Sequence, residues 1–350
     1  MMNKPIHCDI FCAVVDNYGD AGVCWRLAHH LATEHDWRVR LWIDDPAPLR
    51  QLAPDHAAGP VAVRQWSMPW IADESGECAD VVIEAFACDL PAAYVAAMAT
   101  RQRPPVWLNL EYLSAESWVA DCHGLASPHP RVPLVKYFFF PGFDPGTGGL
   151  LREGDYDQRR NSFDESAFRA EFGVPPKTSD ELTISLFSYT NPALPELMRA
   201  WAASKRPIRV LQPASGEVTE TIGNLSVHPL PFLPQPRYDE LLWACDLNFV
   251  RGEDSFVRAQ WAAKPFVWHI YPQAGNAHRA KLEAFLARHP AGQQLSTFWR
   301  AWNGQGQPDW AEFATSLAGL DAPMRQWAET LAASPDLANQ LVQFCIQRLK

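Results

Sequence analysis

The feature that most narrows how this chain can fold is a rhythm. Short apolar runs alternate with segments of helical period, stop, and then start again. In the first half the runs fall at 10–15, 39–43, 61–63, 81–86 and 106–110, each followed by a polar or proline-rich connection. Val23, Leu27 and Leu31 recur every four residues after the first run, which sets them on one face of a helix. Apolar strands separated by helices specify a parallel sheet covered by those helices. The rhythm breaks between 137 and 157, where Pro141-Gly142 and Gly148-Gly149 punctuate the chain, and the linker is expected there or slightly beyond. It resumes at 182–187, 208–211, 225–227, 247–250 and 265–268, and from Asp309 onward the pattern is helical. The expected fold is α/β, with two Rossmann-like domains, 1–155 and 156–350, facing each other across a cleft. The helical tail is free to pack back on the first domain.

Length and charge narrow the function. A chain of 350 residues, 47% hydrophobic and 20% charged, is long enough for two well-filled cores. Thirty basic against forty acidic residues leave −10, a surface that repels phosphate backbones and anionic lipid, so neither nucleic acid nor membrane is expected as partner. No run approaches the ~18 apolar residues of a membrane span, and the first residues carry no cleavage pattern, so the expected location is cytoplasmic. The eight cysteines include no C-x-x-C pair; most sit in apolar runs and read as reduced core thiols rather than zinc ligands.

Two places carry chemistry. The first is Asp16-Asn17-Tyr18-Gly19-Asp20-Ala21-Gly22, directly after the first run. A turn at the carboxyl end of such a strand faces the ligand crevice, and glycine there admits a close approach to the backbone. Asp16 and Asp20 are therefore candidates to point at a ligand, and the same residue types also serve as helix caps. Only two of the glycines of a dinucleotide fingerprint are present. The second place is Arg251-Gly252-Glu253-Asp254-Ser255, again strand, turn and helix. A helix N-terminus preceded by arginine suits a diphosphate. Glu253 and Asp254 fit either ribose or sugar hydroxyls or the helix dipole itself, while Ser255 fits a cap or a phosphate contact.

Phe187, Tyr189, Phe232 and Tyr271 follow successive apolar runs, where rings can stack on a base or fill the core. Glu111 and Tyr112 follow another run and could touch a substrate; His29 and His30 read as surface or partly buried. Asp44-Asp45 lacks the further oxygen ligands that a metal needs, so no metal site is expected.

These segments, together with Asn109-Leu110-Glu111-Tyr112-Leu113-Ser114, Phe139-Phe140-Pro141-Gly142-Phe143 and Thr147-Gly148-Gly149-Leu150, resemble the elongation factor P arginine rhamnosyltransferase family, EarP. The resemblance runs from the first strand to about Tyr271. It implies a GT-B type fold, no cofactor or metal, dTDP-β-L-rhamnose as co-substrate, and inverting transfer of rhamnose to an arginine of elongation factor P. By position it implies Asp20 and Asp16 as the essential acids, with Asn17, Tyr18 and Gly19 in the turn near the sugar. Donor binding falls to Phe187, Tyr189, Phe232, Arg251, Glu253, Asp254, Ser255 and Tyr271. The rival readings are another GT-B enzyme, such as a nucleotide-sugar epimerase or a small-molecule glycosyltransferase, and a non-catalytic nucleotide-binding regulator.

Overall fold

The computed structural model describes residues 4–16, 18–67, 78–214, 216 and 218–349. They form two compact units, one running to Gly154 and taken up again from Ala332, the other Asp155–Leu331. The first unit is built on β1 (His7–Cys12), β2 (Arg38–Ile43), β3 (Ala62–Gln65), β4 (Val81–Ala85), β5 (Val106–Leu110), β6 (Ala126–Pro128) and β7 (Val135–Phe139), ordered β3-β2-β1-β4-β5-β7-β6. The second is built on β8 (Leu182–Leu186), β9 (Ile208–Pro213), β10 (Glu220–Ile222), β11 (Leu225–Leu230), β12 (Leu247–Arg251) and β13 (Phe266–His269), ordered β10-β11-β9-β8-β12-β13. Among the described residues, pairing is parallel except for β6 with β7 and β10 with β11.

The apolar runs form strands because the sheet buries them on both faces: every residue of β4, β5 and β8 is buried. Polar groups in these strands are paired. Asp9 takes a two-pronged contact from Arg40 at 2.6 and 2.7 Å, and Glu84 takes Trp107 Nε1 and Lys136 Nζ, both at 3.1 Å. Removing one partner from such a pair would strand a buried charge, which costs far more than the net contribution of the pair.

Two strand expectations shift. The run at 10–15 leaves the ladder after Cys12, because Val14 N donates to the Asp44 carboxylate at 2.9 Å instead of to a neighbouring strand. That exchange frees Val15 and its successors to form a turn. The break in rhythm expected from 137 begins inside β7, where only Phe139 is fully buried and Lys136 interrupts the apolar residues, so the strand carries no continuous apolar signal.

Helix Tyr18–Glu34 follows β1 and buries Val23, Leu27 and Leu31 as its period requires. His29 is exposed, but His30, expected at or near the surface, is buried, with Nε2 3.1 Å from Glu34 and Nδ1 3.9 Å from Asp336. Asp336 caps helix Leu337–Arg348 by accepting from Ala338 N and Asn339 N at 2.8 and 3.2 Å.

The glycine-rich segment before Gly154 seats that last helix. Gly142 N donates to Gly149 O at 3.2 Å, and Leu337 N to Leu150 O at 3.0 Å. A Cβ on Gly148 would stand 2.6 Å from the Phe139 ring and 3.1 Å from Leu337, and Gly149 takes φ +74. These glycines serve packing within the first unit. The tail from Ala332 accordingly belongs with the first unit, although it lies in the range 156–350. All eight cysteines are free thiols, five of them buried.

Candidate active site

In each sheet the strand order turns back beside the unit's first strand, β1 between β2 and β4, β8 between β9 and β12. Open parallel sheets take their ligands at the carboxyl ends of the strands that flank such a reversal. The turn after β1, with Asp16 and Asp20, and the turn after β12, with Arg251 and Ser255, both lie there.

In the first unit the turn after β1 is held from within by Asp20. Its Oδ2 accepts from Val15 N and Asp16 N, both at 2.8 Å, and its Oδ1 accepts from the Tyr112 hydroxyl at 3.2 Å. Asp20 is 2% exposed, so these donors replace most of its water. Asp16 is half-buried, and its carboxylate folds over Gly19: a Cβ there would stand 2.6 Å from Asp16 Oδ2. Gly19 N closes the turn on Asp16 O at 2.6 Å, and the Tyr18 hydroxyl donates to Gln51 Oε1 at 2.6 Å. Asn17 lies outside the described residues. The result is one carboxylate locked to the loop backbone and a second beside it.

Tyr112 connects this turn to the end of β4. Its ring stacks on Phe86 with centroids 4.3 Å apart and planes 11° from parallel. Phe86 and Ala87 both take positive φ, +56 and +54, in a tight turn closed by Cys88 N on Ala85 O at 3.2 Å. Non-glycine residues in that region cost about 1–3 kcal/mol each, a strain that clusters at functional sites. The apolar run at 81–86 therefore ends one residue early, with Phe86 rotated out of the strand.

In the second unit Arg251, the last residue of β12, lays its guanidinium over Phe187 and Tyr189, with Cζ 4.2 and 4.8 Å from the ring centroids. Its Nη1 donates to Ser188 O at 3.4 Å. Tyr189 meets Tyr271 edge-on at 5.6 Å, and Phe187 meets Tyr238 at 5.5 Å. Ser255 clips the turn: its Oγ accepts from Arg251 N at 3.0 Å and donates to Arg251 O. Gly252 between them needs φ +61, which glycine adopts without strain. Helix Asp254–Ala262 starts at this point, so its first N–H groups and the positive end of its dipole lie beside Arg251.

That helix is fixed against helix Gln235–Ala244 at two heights. Gln235 Nε2 donates to Asp254 Oδ2 at 3.0 Å, and one turn on Arg258 grips Asp239 at 2.9 and 2.8 Å, both side chains fully buried. The Asp254 carboxylate is thus engaged in holding the helix. Glu253 precedes the helix and accepts from Val257 N through its carbonyl at 2.9 Å.

The structure joins Phe187, Tyr189, Arg251, Ser255 and Tyr271 into one cluster. Phe232 is half-buried in the loop after β11, whose carboxyl end shares the sheet edge of β8 and β12. Three further residues escaped the sequence reading. His269 ends β13 in register with Arg251 and meets Tyr189 edge-on at 5.3 Å. Burial first and the Arg251 charge second push its imidazole down to about 4, so it stays neutral beside the guanidinium. Gln235 and Phe86 also escaped. Phe86 was hidden as an ordinary member of an apolar run and His269 as the residue just past one; only the strand-end position they share with the predicted rings marked them.

A pair of doubly wound units, one with buried acid at its switch point and the other with arginine at a helix N-terminus, has the architecture of the GT-B fold. The calicheamicin glycosyltransferase CalG4 shares the fold at TM-score 0.56 and 13% identity, over 98% of this chain and 99% of that one. The chain belongs to the family described as Elongation-Factor P (EF-P) rhamnosyltransferase EarP, whose model matches residues 8–346. A protein-arginine rhamnosyltransferase of Pseudomonas aeruginosa is 47% identical, over 96% of this chain and 98% of its own. A solved structure described as the structural basis for EarP-mediated arginine glycosylation of translation elongation factor EF-P aligns at TM-score 0.66 and 35% identity, over 98% of this chain and 99% of that one.

Proposed function

We propose that this protein transfers rhamnose from dTDP-β-L-rhamnose to an arginine side chain of elongation factor P in the cytoplasm, with inversion and without a metal ion. The observation that carries the reading is the opposite polarity of the two switch points. Asp20 and Asp16 suit a cation, whereas Arg251 at the start of helix Asp254–Ala262 suits a diphosphate.

A guanidinium is permanently charged and delocalised, hence a poor nucleophile. Asp20 holds one of its N–H groups through Oδ1 and takes the proton as the bond from nitrogen to the anomeric carbon forms. Asp16 orients the group and offsets positive charge that builds on the sugar. The bond from the anomeric carbon to the diphosphate oxygen breaks, and dTDP leaves with both bonding electrons. Arg251 and the helix N-terminus stabilise that charge. Phe187, Tyr189, Phe232 and Tyr271 supply ring faces for the base, while Glu253, Asp254 and Ser255 border the ribose and diphosphate.

Incubating the protein with dTDP-β-L-rhamnose and unmodified elongation factor P in chelator, followed by mass spectrometry of the acceptor, tests the reading. The expected result is a gain of one deoxyhexose on a single arginine; an unmodified acceptor alongside consumed donor contradicts it.

A further inference from the structure

The turn after β4 has no part in the transfer chemistry proposed for Asp20 and Asp16, and its backbone is costly. A tight turn with two left-handed central residues is the kind that ordinarily takes Asn-Gly, where the Cβ penalty is small or absent. Here those positions hold Phe86 and Ala87, at φ +56 and +54. The conformation is over-determined by its surroundings. Phe86 N donates to Leu110 O at 2.7 Å, Ala87 N to the Asn109 side chain at 3.1 Å, and Asp89 N to Glu84 Oε1 at 3.3 Å. The effect is to swing a large ring out of the core strand and lay it on Tyr112, whose hydroxyl donates to Asp20. Both rings remain only partly buried.

We propose that the stacked rings of Phe86 and Tyr112 form the platform that receives the acceptor guanidinium and selects it over an ammonium group, with Asp20 at its edge taking one N–H. The proposal rests on the reading that arginine is the acceptor. A guanidinium is planar and weakly hydrated, so it stacks on an aromatic face while its edge donates to a carboxylate. Lysine offers a compact, strongly hydrated ammonium that gains less from the same face. The ring explains why the strained turn carries phenylalanine: a chain chosen for backbone ease would leave Tyr112, the ring bonded to Asp20, without the aromatic partner on which it stacks.

The test compares Phe86→Leu, which keeps apolar bulk without a π face, with Phe86→Tyr, which keeps the ring. Neither is glycine, so the turn is equally strained in both. Expected for Phe86→Leu is a KM for elongation factor P about 2- to 30-fold higher, with dTDP affinity unchanged. Phe86→Tyr should restore the wild-type value. A wild-type KM in Phe86→Leu, or equal loss in both variants, overturns the platform. If Phe86→Leu fails to fold, as loss of dTDP binding would reveal, competition on the wild-type enzyme decides. Methylguanidinium should inhibit transfer at lower concentration than methylammonium, and equal inhibition overturns the proposal. Calorimetry of elongation factor P binding without donor separates this inference from the reading beneath it. Phe86-dependent binding with no transfer defeats the transfer reading alone; transfer that is indifferent to Phe86 defeats the platform alone.

Discussion

The turn after β1 and the turn after β12 each flank the reversal of strand order in their sheet, one on the unit's first strand and the other on the neighbour of that first strand, and each passes from strand end to helix in a few residues. Each is clipped by a side chain that reaches back to the strand end, Asp20 to Val15 N and Asp16 N, Ser255 to Arg251 N and Arg251 O. The clips differ in charge. The first turn is clipped by a carboxylate that keeps an oxygen for Tyr112 and, in the proposed reaction, for a cation. The second is clipped by a neutral hydroxyl, which adds no negative charge of its own beside Arg251. Two turns beside a strand-order reversal are thus suited to opposite charges through the residue that closes each of them.

The comparison breaks most sharply at Asp20. Asparagine keeps an oxygen to accept from both backbone N–H groups and loses only the basicity. Asp20→Asn should therefore fold normally and lose about 10²- to 10⁴-fold in transfer rate. If more than a tenth of turnover survives in a rate assay, Asp20 is a clip and nothing more. Asp20→Ala removes both roles and should also lower stability by about 1–3 kcal/mol on denaturant titration.

Next in size is Arg251→Ala, which should weaken dTDP binding by about 1.5–3 kcal/mol, with or without chelator. Binding that disappears from the wild-type protein in chelator would refute the metal-free assignment.

The third effect is the share of the pH dependence that comes from His269, beside the second turn. His269 titrates at about 4 in the folded protein against roughly 6.5 when unfolded, so between those values the unfolded chain binds the extra proton. Its share of stability is complete above about pH 6.5 and falls as pH drops toward 4, by about 2 kcal/mol at pH 5. His289, also held near 4 by burial, has the same sign. Urea titrations at pH 7.5 and 5 should show His269→Gln with a shallower loss than the wild type, but not a flat one. An unchanged slope would mean that the imidazole is not held neutral beside Arg251.

The smallest effect is Ser255→Ala, expected to cost about 1 kcal/mol of stability because Arg251 N loses its acceptor. No measurable loss would make the clip incidental.

Most of the fold was legible because the strands buried on both faces write themselves as apolar runs. What stayed hidden has a common cause. β7 is half-exposed and carries Lys136, and β10 is three exposed residues, so neither breaks the background. The site residues were legible as types at strand ends, yet their connections were not. Nothing in the spacing of Asp20 and Tyr112, 92 residues apart, announces a hydrogen bond. Nor does Phe86-Ala87 announce left-handed backbone, since that conformation is held by Leu110 and Asn109 from neighbouring β5 and by the Glu84 side chain of β4 itself. Asp254 is instructive: its position at a helix start fits either ligand or dipole, and the Gln235 contact engages one of its oxygens in packing.

The division of labour between the two turns is tested most directly by calorimetric titration of dTDP into Asp20→Asn and Arg251→Ala side by side. The account predicts wild-type affinity, within about twofold, for Asp20→Asn and at least a roughly tenfold loss for Arg251→Ala. A comparable loss in Asp20→Asn, or none in Arg251→Ala, would contradict the assignment of cation to the first turn and diphosphate to the second.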